Sequence, residues 1–514
     1  MLFTRTLLSL LAFATLPSRR HNVVHAEGID DVIRWVVTFN EGVLPDQVVN
    51  VLTLAGIDVP EIPLQIPELF MSVFMMSPTI AKKIMNLSVV KYVERDVEVK
   101  IIDPVSENTA DISSTARQGG TEQTPYGIDM VQALEVPDDN VGALTVCVID
   151  SGYAIGHADL PGTEVVTGSD EIGVQPWFED DNGHGTHVTG IIAALGGNEF
   201  GVQGVNRNGQ LNLHILRIFD ASGQTFSSDT MANIQDCVNA GAKVVSMSFG
   251  RSDQQTAEFG LSGPLEFEKE AFDKYYNQGV LFVAAAGNDG SSYYNWPASY
   301  DSVISVAAID ENREAASFSQ RNDQVDLAAP GVQVLSTIPN NEFAFFSGTS
   351  QACPHVSGVA ALVWSRFLDK SAQEIRQALT ASAQDLGPEG LDETYGYGLV
   401  QAAAAVDYLT SGGSAPAPSP SPSPPATEEC TDDSTWTDPW GDDCGFYSAG
   451  FLCQAFGPFT ANSGGQTAID ACCSCGGGAR IQSAEPSSAS ERFKSPRALS
   501  FLACFTVAAG SVLF

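Results

Sequence analysis

Short apolar runs alternate with longer amphipathic stretches between about Gly119 and Thr410. Each run is rich in Val, Ile or Ala and ends in a polar or glycine-bearing turn; the clearest cover residues 144–149, 244–248, 280–285 and 303–308. Nearly continuous apolar strands separated by helical stretches are typical of a parallel sheet that is covered on both faces. The pattern predicts an α/β domain over 119–411, a mostly parallel sheet flanked by helices, with functional side chains where the strands end.

The sequence on either side of this domain has a different character. Residues 27–118 form an acidic segment with strand-like runs at 33–39 and 89–96, which predicts a small α+β unit. Residues 412–428 repeat Pro-Ser and Pro-Ala, a composition that favours an extended linker because it cannot pack a core. Residues 429–478 then carry six cysteines: Cys430, Cys444, Cys453, Cys472, Cys473 and Cys475.

The cysteines of this last segment have two possible chemical uses. Zinc binding normally requires paired C-x2-C motifs, and the spacing here contains no such pairs. A small disulfide-rich module is therefore predicted, provided that the compartment is oxidising. Its role is open between stabilisation or spacing and binding to a substrate, a wall polymer or a partner protein.

Both ends of the chain resemble targeting signals. Residues 1–26 contain Arg5, an apolar run at 7–16 and a Val-His-Ala sequence at 24–26, which together predict a secretory signal peptide. Residues 479–514 form a stalk that ends in an uncharged apolar tail at 498–514, preceded by polar and small residues. This order favours a glycosylphosphatidylinositol (GPI) attachment signal; the alternative is a membrane span, for which the tail is shorter than the roughly 20 residues required.

The charge balance restricts the partners of the protein. There are 25 basic and 62 acidic residues, a formal net charge of −37, so sustained binding to nucleic acid or to anionic lipid is not expected. Contact with a membrane is expected only through the C-terminal anchor. The remaining expectation is a secreted or surface-anchored monomer.

Two polar motifs suggest an acid–base pair. Asp150 ends the apolar run at 144–149, so its carboxylate is expected at the carboxyl edge of the sheet, although Asp-x-Gly is also a common turn. The small residues of 182–190 (NGHGTHVTG) let a helix begin in close packing, with His184 facing the cleft as a general base that Asp150 orients. His187 on the same helix is interpreted as a packed structural histidine.

A serine and an amide complete the set. The segment 347–356 (SGTSQACPHV) precedes an apolar helical run and places Ser350 at the N-terminus of a helix, where the backbone N–H and the helix dipole favour a developing oxyanion. Gly348 permits the close approach of a substrate backbone. Asn288 follows the run at 280–285 and can donate to the same oxyanion; its alternative role is that of a left-handed turn residue.

The order Asp, His, Ser and these four motifs together resemble the subtilisin family of serine proteases, which includes proteinase K, over about residues 120–405. The resemblance implies an Asp150–His184–Ser350 catalytic triad, with Asn288 as an oxyanion donor and with no cofactor required for the chemistry. It also implies that residues 27–118 are an inhibitor-type prosegment, which templates folding and then plugs the active site.

The resemblance further implies a substrate cleft. Ser248, Phe249 and Gly250 would pair with the substrate backbone as an added strand, and Ala285 to Gly287 would line the opposite wall. Between them would lie the pocket for the residue before the cleaved bond. These segments contain no dense acidic cluster, so broad cleavage after apolar or aromatic residues is expected.

The family often binds structural calcium, an ion that requires six or more oxygen ligands. The matching positions here are Asp159, Leu195, Asn198, Phe200, Val202 and, as a further candidate, Glu122. The loop 195–202 has one residue more than the subtilisin pattern, so its backbone ligands are less well defined than Asp159.

Two residues beside the nucleophile depart from the family pattern. Gln351 replaces the usual Met, and Cys353 replaces the usual Ser or Thr. Cys353 is either a buried thiol or the disulfide partner of Cys147 or Cys237. Taken together, the sequence predicts a serine endopeptidase made as a zymogen; the rival hypothesis is a cell-surface adhesion protein whose protease domain is only a scaffold.

Overall fold

A computed structural model describes residues 31–43, 45–102, 104–105, 117–118, 121–170, 175–219, 221–257 and 261–412. Beyond residue 412 it describes only 430–431, 437, 444 and 479–480, where the strands Cys430–Thr431 and Ala479–Arg480 pair in antiparallel fashion. The predictions on the signal peptide, nearly all of the linker and the disulfide-rich module, and the C-terminal anchor therefore lie outside the described residues.

The N-terminal unit, defined here as the described residues from 31 to 105, has its own antiparallel sheet of order β2-β3-β1-β4. Two helices accompany the four strands, and Trp35, Val37, Phe74 and Val93 are buried in its apolar core. The elements are β1 (Ile33–Phe39), α1 (Pro45–Leu54), β2 (Glu61–Ile66), β3 (Met71–Met76), α2 (Pro78–Met85) and β4 (Val90–Arg95). This agrees with the small α+β unit that the sequence predicts.

The remaining elements belong mainly to a larger α/β domain. The last strand of the N-terminal unit is β5 (Glu98–Ile101). The strands of the larger domain are β6 (Arg117–Gln118), β7 (Thr145–Asp150), β8 (Val166–Asp170), β9 (Asn212–Arg217), β10 (Gln224–Phe226), β11 (Val244–Met247), β12 (Phe249–Ser252), β13 (Leu281–Ala285), β14 (Asn295–Trp296), β15 (Val303–Ile309), β16 (Leu327–Pro330), β17 (Val334–Ile338) and β18 (Glu342–Phe346). Its helices are α3 (Tyr126–Met130), α4 (His184–Ala193), α5 (Ser227–Asn239), α6 (Asp253–Thr256), α7 (Glu266–Asn277), α8 (Thr349–Arg366), α9 (Ala372–Ala381) and α10 (Ala402–Thr410).

The central sheet has seven parallel strands in the order β16-β15-β13-β11-β7-β9-β8. The four apolar runs of the sequence analysis correspond to the adjacent strands β15, β13, β11 and β7 in the middle of this sheet. The predicted fold, a parallel sheet flanked by helices, is therefore confirmed.

Alternation along each strand supplies two apolar layers, because successive side chains point to opposite faces. In β7, Val146 and Val148 join the core that contains α4 and α8, whereas Cys147 and Ile149 join the core that contains α5 and α7. Both faces of the sheet are thus covered, which explains the nearly continuous apolar runs in the sequence.

The disulfide of this domain decides whether Cys353 is a free thiol or a disulfide partner. Cys147 in β7 and Cys237 in α5 form a disulfide, and Cys353 is a free, fully buried thiol. Its Sγ lies 3.4 Å from the carbonyl oxygen of Val283, and burial raises the pKa of the thiol. The hypothesis of a buried thiol is confirmed, and that of a disulfide through Cys353 is wrong.

The Cys147–Cys237 disulfide closes a long loop, since 90 residues separate its ends. Replacing both cysteines by alanine in a Ser350→Ala background, which avoids self-digestion, is expected to lower the free energy of unfolding by about 2–4 kcal/mol. Urea unfolding followed by tryptophan fluorescence measures the change. As a control, dithiothreitol should destabilise the parent protein more than the double variant, which keeps only the disulfides predicted for residues 429–478; equal stability of the two proteins in oxidising buffer would contradict the prediction.

Candidate active site

Asp150 and His184 form a buried pair at the carboxyl edge of the sheet. Asp150 is the last residue of β7, and His184 is the first residue of α4. The His184 Nδ1 atom lies 2.9 Å and 3.0 Å from the two carboxylate oxygens, and both side chains are almost completely buried. Such a contact orients the ring and stabilises its protonated form. The backbone N–H of Ser151 also donates to the carboxylate, at 2.8 Å.

A second aspartate, which the sequence analysis missed, holds the beginning of α4. The Asp180 carboxylate accepts hydrogen bonds from the backbone N–H groups of Gly183 and Thr186, each at 2.8 Å, and from the hydroxyls of Ser151 and Thr186. Carboxylates that accept from the first N–H groups of a helix stabilise that end. Asp180 therefore positions the turn that carries His184. Its position just before the Gly-His-Gly motif is the signal that could have revealed it.

Ser350 is the second residue of α8 and is fully buried. As a residue of the first helical turn, it has a backbone N–H without an intrahelical carbonyl partner. Its Oγ atom lies 2.8 Å from the carbonyl oxygen of Ile102 and 3.2 Å from that of Ser248. The hydroxyl of Ser248 in turn donates to the Ser350 carbonyl at 2.9 Å. The predicted nucleophile is thus in contact with one predicted cleft residue and with the N-terminal unit.

Asn288 is hydrogen-bonded to the start of α8, the helix that carries Ser350. Its Oδ1 atom accepts hydrogen bonds from the N–H and the hydroxyl of Thr349, at 2.9 and 2.8 Å. This fixes the amide so that Nδ2 lies on the side of Gly348, where it would be 3.0 Å from a Cβ atom added to that glycine. Asn288 is not among the residues with positive φ, so the alternative role as a left-handed turn residue is wrong.

The cleft beside these residues is filled by a strand of the chain itself. β5 lies between β10 and β12, antiparallel to both, and Ile101 pairs with Phe249 and Lys100 with Gly250. The Ile102 N–H donates to the Ser248 carbonyl at 3.3 Å, and beyond it the Val105 N–H donates to the Ser347 carbonyl at 2.6 Å. The three residues expected to bind a substrate strand therefore bind residues 100–102.

The opposite wall contains Ala285 and Gly287. The Gly287 N–H donates to the Thr349 hydroxyl at 3.1 Å, which connects this wall to the helix of Ser350. Gly287 has a φ of +111°, a conformation that side chains other than glycine rarely adopt. The Ala285 carbonyl accepts from the Asn295 side chain at 3.0 Å. Gly287 is thus connected to the helix of Ser350, and the role of Ala285 and Gly287 as a cleft wall stays a prediction.

The other two histidines near the site, His187 and His355, are completely buried. The ring of His187 is fully buried and stacks on Phe346 with 4.2 Å between the ring centres, and burial lowers its pKa to about 3. Burial also lowers the pKa of His355 to about 4. Both rings are therefore neutral at physiological pH. The interpretation of His187 as a packed histidine agrees with this environment.

Gln351, the departure next to the nucleophile, is a buried amide without partners. Its side chain is fully buried, and neither Oε1 nor Nε2 has a hydrogen-bond partner among the described residues. Nearby Gln320 is equally buried, but it accepts from the Ser291 N–H at 3.0 Å and donates to the Tyr293 carbonyl at 3.2 Å. Hydrogen bonds thus compensate for burial of the Gln320 amide, whereas burial of the Gln351 amide is not compensated.

The residues proposed from the sequence for calcium lie together in one loop region. The Asp159 carboxylate accepts from Asn198 Nδ2 and from the Val202 N–H, each at 2.7 Å, and burial raises its pKa to about 7. Glu122 accepts from the Asn198 N–H at 3.0 Å. Leu195 and Phe200 are joined to the same group through their N–H bonds to the Asp159 carbonyl and to Asn198 Oδ1.

Two features are absent from the described residues. No group of three or more His, Cys, Asp or Glu side chains in that part of the chain has the arrangement of a metal site. Within the same residues, no helix is both long and apolar enough to cross a bilayer.

A buried Asp–His pair, a serine at a helix N-terminus and a strand-binding cleft, all at the carboxyl edge of a parallel sheet, define the class of serine peptidases with an α/β fold. Comparison with known proteins specifies the family. Residues 142–398 match the model of the subtilase family, and the chain belongs to that family. It is a subtilisin-like serine protease.

Individual relatives support this assignment. The chain is 39% identical to subtilisin DY of Bacillus licheniformis over 290 residues, which is 55% of this chain and 99% of that protein. It is 36% identical to a thermostable alkaline protease of Halalkalibacterium halodurans over 317 residues, 61% of this chain and 80% of the relative. Among solved structures, a psychrophilic subtilisin-like protease of Pseudoalteromonas sp. AS-11 matches with 30% identity and a TM-score of 0.52, covering 56% of this chain and 98% of that one.

The unpartnered amide of Gln351 leads to a prediction about stability. Gln351→Met, of similar volume, is expected to raise the free energy of unfolding by about 1–3 kcal/mol, because it removes a buried polar group that has no hydrogen bond. Urea unfolding in the Ser350→Ala background measures the change. The matched control is Gln320→Met, which removes satisfied hydrogen bonds and should destabilise the protein. A loss of stability in Gln351→Met would contradict the prediction.

Proposed function

We propose that the protein is a serine endopeptidase in which the Ser350 hydroxyl attacks a peptide carbonyl and His184 accepts its proton. Asp150 holds the ring through Nδ1 and stabilises the imidazolium that forms. Asn288 Nδ2 and the Ser350 N–H donate to the tetrahedral oxyanion, and a water molecule then hydrolyses the acyl-enzyme. No cofactor takes part in these steps. The single observation that carries the proposal is the 2.8 Å approach of Ser350 Oγ to the carbonyl oxygen of a strand bound in the cleft.

The same observation supports a zymogen in which the N-terminal unit is the prosegment. The carbonyl next to Ser350 belongs to Ile102, which supports the peptide bond after Ile102 as the bond that the enzyme would cleave. Self-cleavage there would end the prosegment at Ile102. The sequence analysis places this boundary later, at residue 118. The N-terminal unit would then remain bound as a product and inhibit the enzyme.

Two carboxylates of the N-terminal unit support its role as an inhibitor. Glu94 accepts from the N–H groups of Glu266 and Phe267 at the start of α7, at 2.9 and 3.1 Å. Asp96 accepts from the N–H and the hydroxyl of Ser228 at the start of α5, at 3.1 and 2.6 Å. Acceptors at helix N-termini are stabilising. These contacts hold the unit in place independently of β5.

The loop around Asp159 contains oxygen atoms of the kind that calcium prefers, in the carboxylates of Asp159 and Glu122 and in the amide of Asn198, whose Nδ2 faces Asp159 and would have to give way to Oδ1. Asp159 and Asn198 would hold the ion, together with the carbonyl oxygens of Leu195, Phe200 and Val202. Calcium would remove the cost of burying the Asp159 charge and stabilise the loop. It would take no part in the catalytic steps.

The sequence signals at the two ends support secretion, with the protein either free or held at the cell surface by a GPI anchor. We expect the secreted protein to be a monomer. The proposed substrates are proteins and peptides, cleaved broadly after apolar or aromatic residues, and the proposed inhibitor is the protein's own prosegment.

Cleavage at Ile102 is directly testable. Secreted wild-type protein is expected to yield a mature chain that begins at Asp103, whereas Ser350→Ala retains the intact bond, because it lacks the attacking hydroxyl. Mass spectrometry of the N-terminal peptide identifies the new terminus, and hydrolysis of casein should fall by at least about a thousandfold in Ser350→Ala. Secreted wild-type protein that keeps the bond and leaves casein uncut would refute the proposed function.

The two helix-capping carboxylates give a separate test of inhibition. Glu94→Ala combined with Asp96→Ala is expected to shorten the delay between cleavage after Ile102 and the onset of peptidase activity by at least about tenfold, because each lost cap costs about 0.5–2 kcal/mol of binding. Stopped samples analysed by electrophoresis and by a fluorogenic peptide measure the two events. The matched control is Glu61→Gln, an exposed carboxylate of the same unit. An unchanged delay in the double variant would contradict the assigned role of the caps.

A further inference from the structure

The sheet of the N-terminal unit has two covered faces. Val36 and Val73 belong to the apolar core that also contains residues of α5 and α7, so one face packs on the peptidase domain. Trp35 and Val37, the neighbours of Val36 in β1, point the other way and belong to a separate core with residues of α1 and α2. This second core, the outer core, therefore lies on the side of the sheet that is turned away from the peptidase domain.

One member of the outer core comes from far along the chain. Cys444 is only 6% exposed and is buried there together with Ile84 of α2. It is also disulfide-bonded. The sequence has no cysteine before Cys147, Cys147 pairs with Cys237, and Cys353 is free. The disulfide therefore ties Cys444 to the chain after residue 428, and the contact belongs to the predicted disulfide-rich module.

The exposure of the two helices indicates which side of the N-terminal unit is covered. At the end of α1, Leu54 is 89% exposed. On α2, in contrast, even Lys82 is only 8% exposed, whereas its neighbour Lys83 is exposed. Lys82 follows Ala81, which shares the outer core with Cys444. A lysine on an outer helix is buried only where another part of the protein covers it, so the covered side is that of α2.

Charge favours a contact between α2 and the segment that leads to Cys444. The helix carries two lysines and no acidic residue. A buried ammonium group is stable only beside an opposite charge. Residues 429–443 contain no basic residue and six acidic ones: Glu429, Asp432, Asp433, Asp438, Asp442 and Asp443. The two surfaces are therefore complementary in charge.

We propose that the disulfide-rich module, residues 429–478, docks on the α2 side of the N-terminal unit and retains this unit after the bond beyond Ile102 has been cleaved. The module then provides a second binding site for the inhibitor, in addition to the cleft and the capped helices. Because the module is covalently joined to the mature chain, it keeps the effective concentration of the N-terminal unit beside the cleft high. This inference rests on the proposed function, since retention matters only if the unit is an inhibitor.

The linker is long enough for this contact. Residues 412–428 can span about 50 Å in the extended form of Pro-rich chains, at about 3.1 Å per residue. A compact domain of the size of the peptidase domain has a diameter of about 50 Å. The module can therefore reach the N-terminal unit from the end of α10.

Zero-length cross-linking tests the contact without any need for peptidase activity. The sample is the full-length Ser350→Ala protein, in which the N-terminal unit stays attached, and a carbodiimide joins amines only to carboxylates that they touch. Mass spectrometry of the digest is expected to find Lys82 joined to a carboxylate of residues 429–443, with no comparable product of Lys83. Cross-links from residues 429–443 to the peptidase domain alone, or none to Lys82, would overturn the inference.

A charge reversal tests retention in the active protein. Lys82→Glu places a negative charge against the acidic segment and is expected to shorten the delay between cleavage after Ile102 and the onset of peptidase activity by at least about tenfold. Cleavage after Ile102 should keep its wild-type rate, which shows that the N-terminal unit still folds and fills the cleft. The matched control is Lys83→Glu, which changes the exposed neighbour and should keep the wild-type delay.

A milder variant covers the case in which Lys82→Glu is not secreted. Lys82→Met removes the charge but keeps an apolar side chain of similar length, so it should shorten the delay by a smaller factor. An unchanged delay in the Lys82 variants would overturn the proposed retention and leave the proposed function intact. Wild-type protein that neither cleaves after Ile102 nor develops activity would instead refute the proposed function, and the cross-linking result would still decide where the module binds.

Discussion

The contact between the Asp150 carboxylate and the His184 ring is the interaction on which the rest of the site depends. It joins the last residue of a central strand to the first residue of a helix, so its geometry is fixed by the packing of α4 on the sheet. Asp180 and Ser151 stabilise the start of α4, because they accept hydrogen bonds from its backbone N–H groups and are hydrogen-bonded to each other. A base with a mobile ring would lose the orientation that proton transfer needs. The buried polar network is therefore part of the chemistry as well as of the fold.

Much of this could be predicted from the sequence, because the relevant signals are local. The central strands were recognisable as apolar runs that end in polar turns, and parallel pairing then gathers their carboxyl ends at one edge. Asp150 ends β7 and Asn288 follows β13 closely, whereas His184 and Ser350 lie in glycine-containing motifs at the starts of α4 and α8. Local pattern and global topology agree here, as expected for a sequence with one well-defined fold.

The features that escaped prediction depend on contacts between distant segments. Nothing in the neighbourhood of Asn295 indicates that its amide lies beside Gly250, because this follows from the pairing of β14 with β12. The same holds for Glu94 and Asp96, which cap helices more than a hundred residues later in the chain. Cys353 illustrates the limit for cysteines, since their pairing depends on distances that spacing alone does not give.

β5 lies between two strands and bonds to both, so its departure leaves a slot one strand wide, bordered by β10 and β12. Only a chain in fully extended form can bond to both borders at once, because helices and tight turns use their own backbone groups. A compact protein must therefore locally unfold several residues before it can enter. Resistance of a folded protein to this enzyme is then governed by the free energy of local opening in that protein, and two proteins with the same cleavable sequence can differ greatly in lifetime.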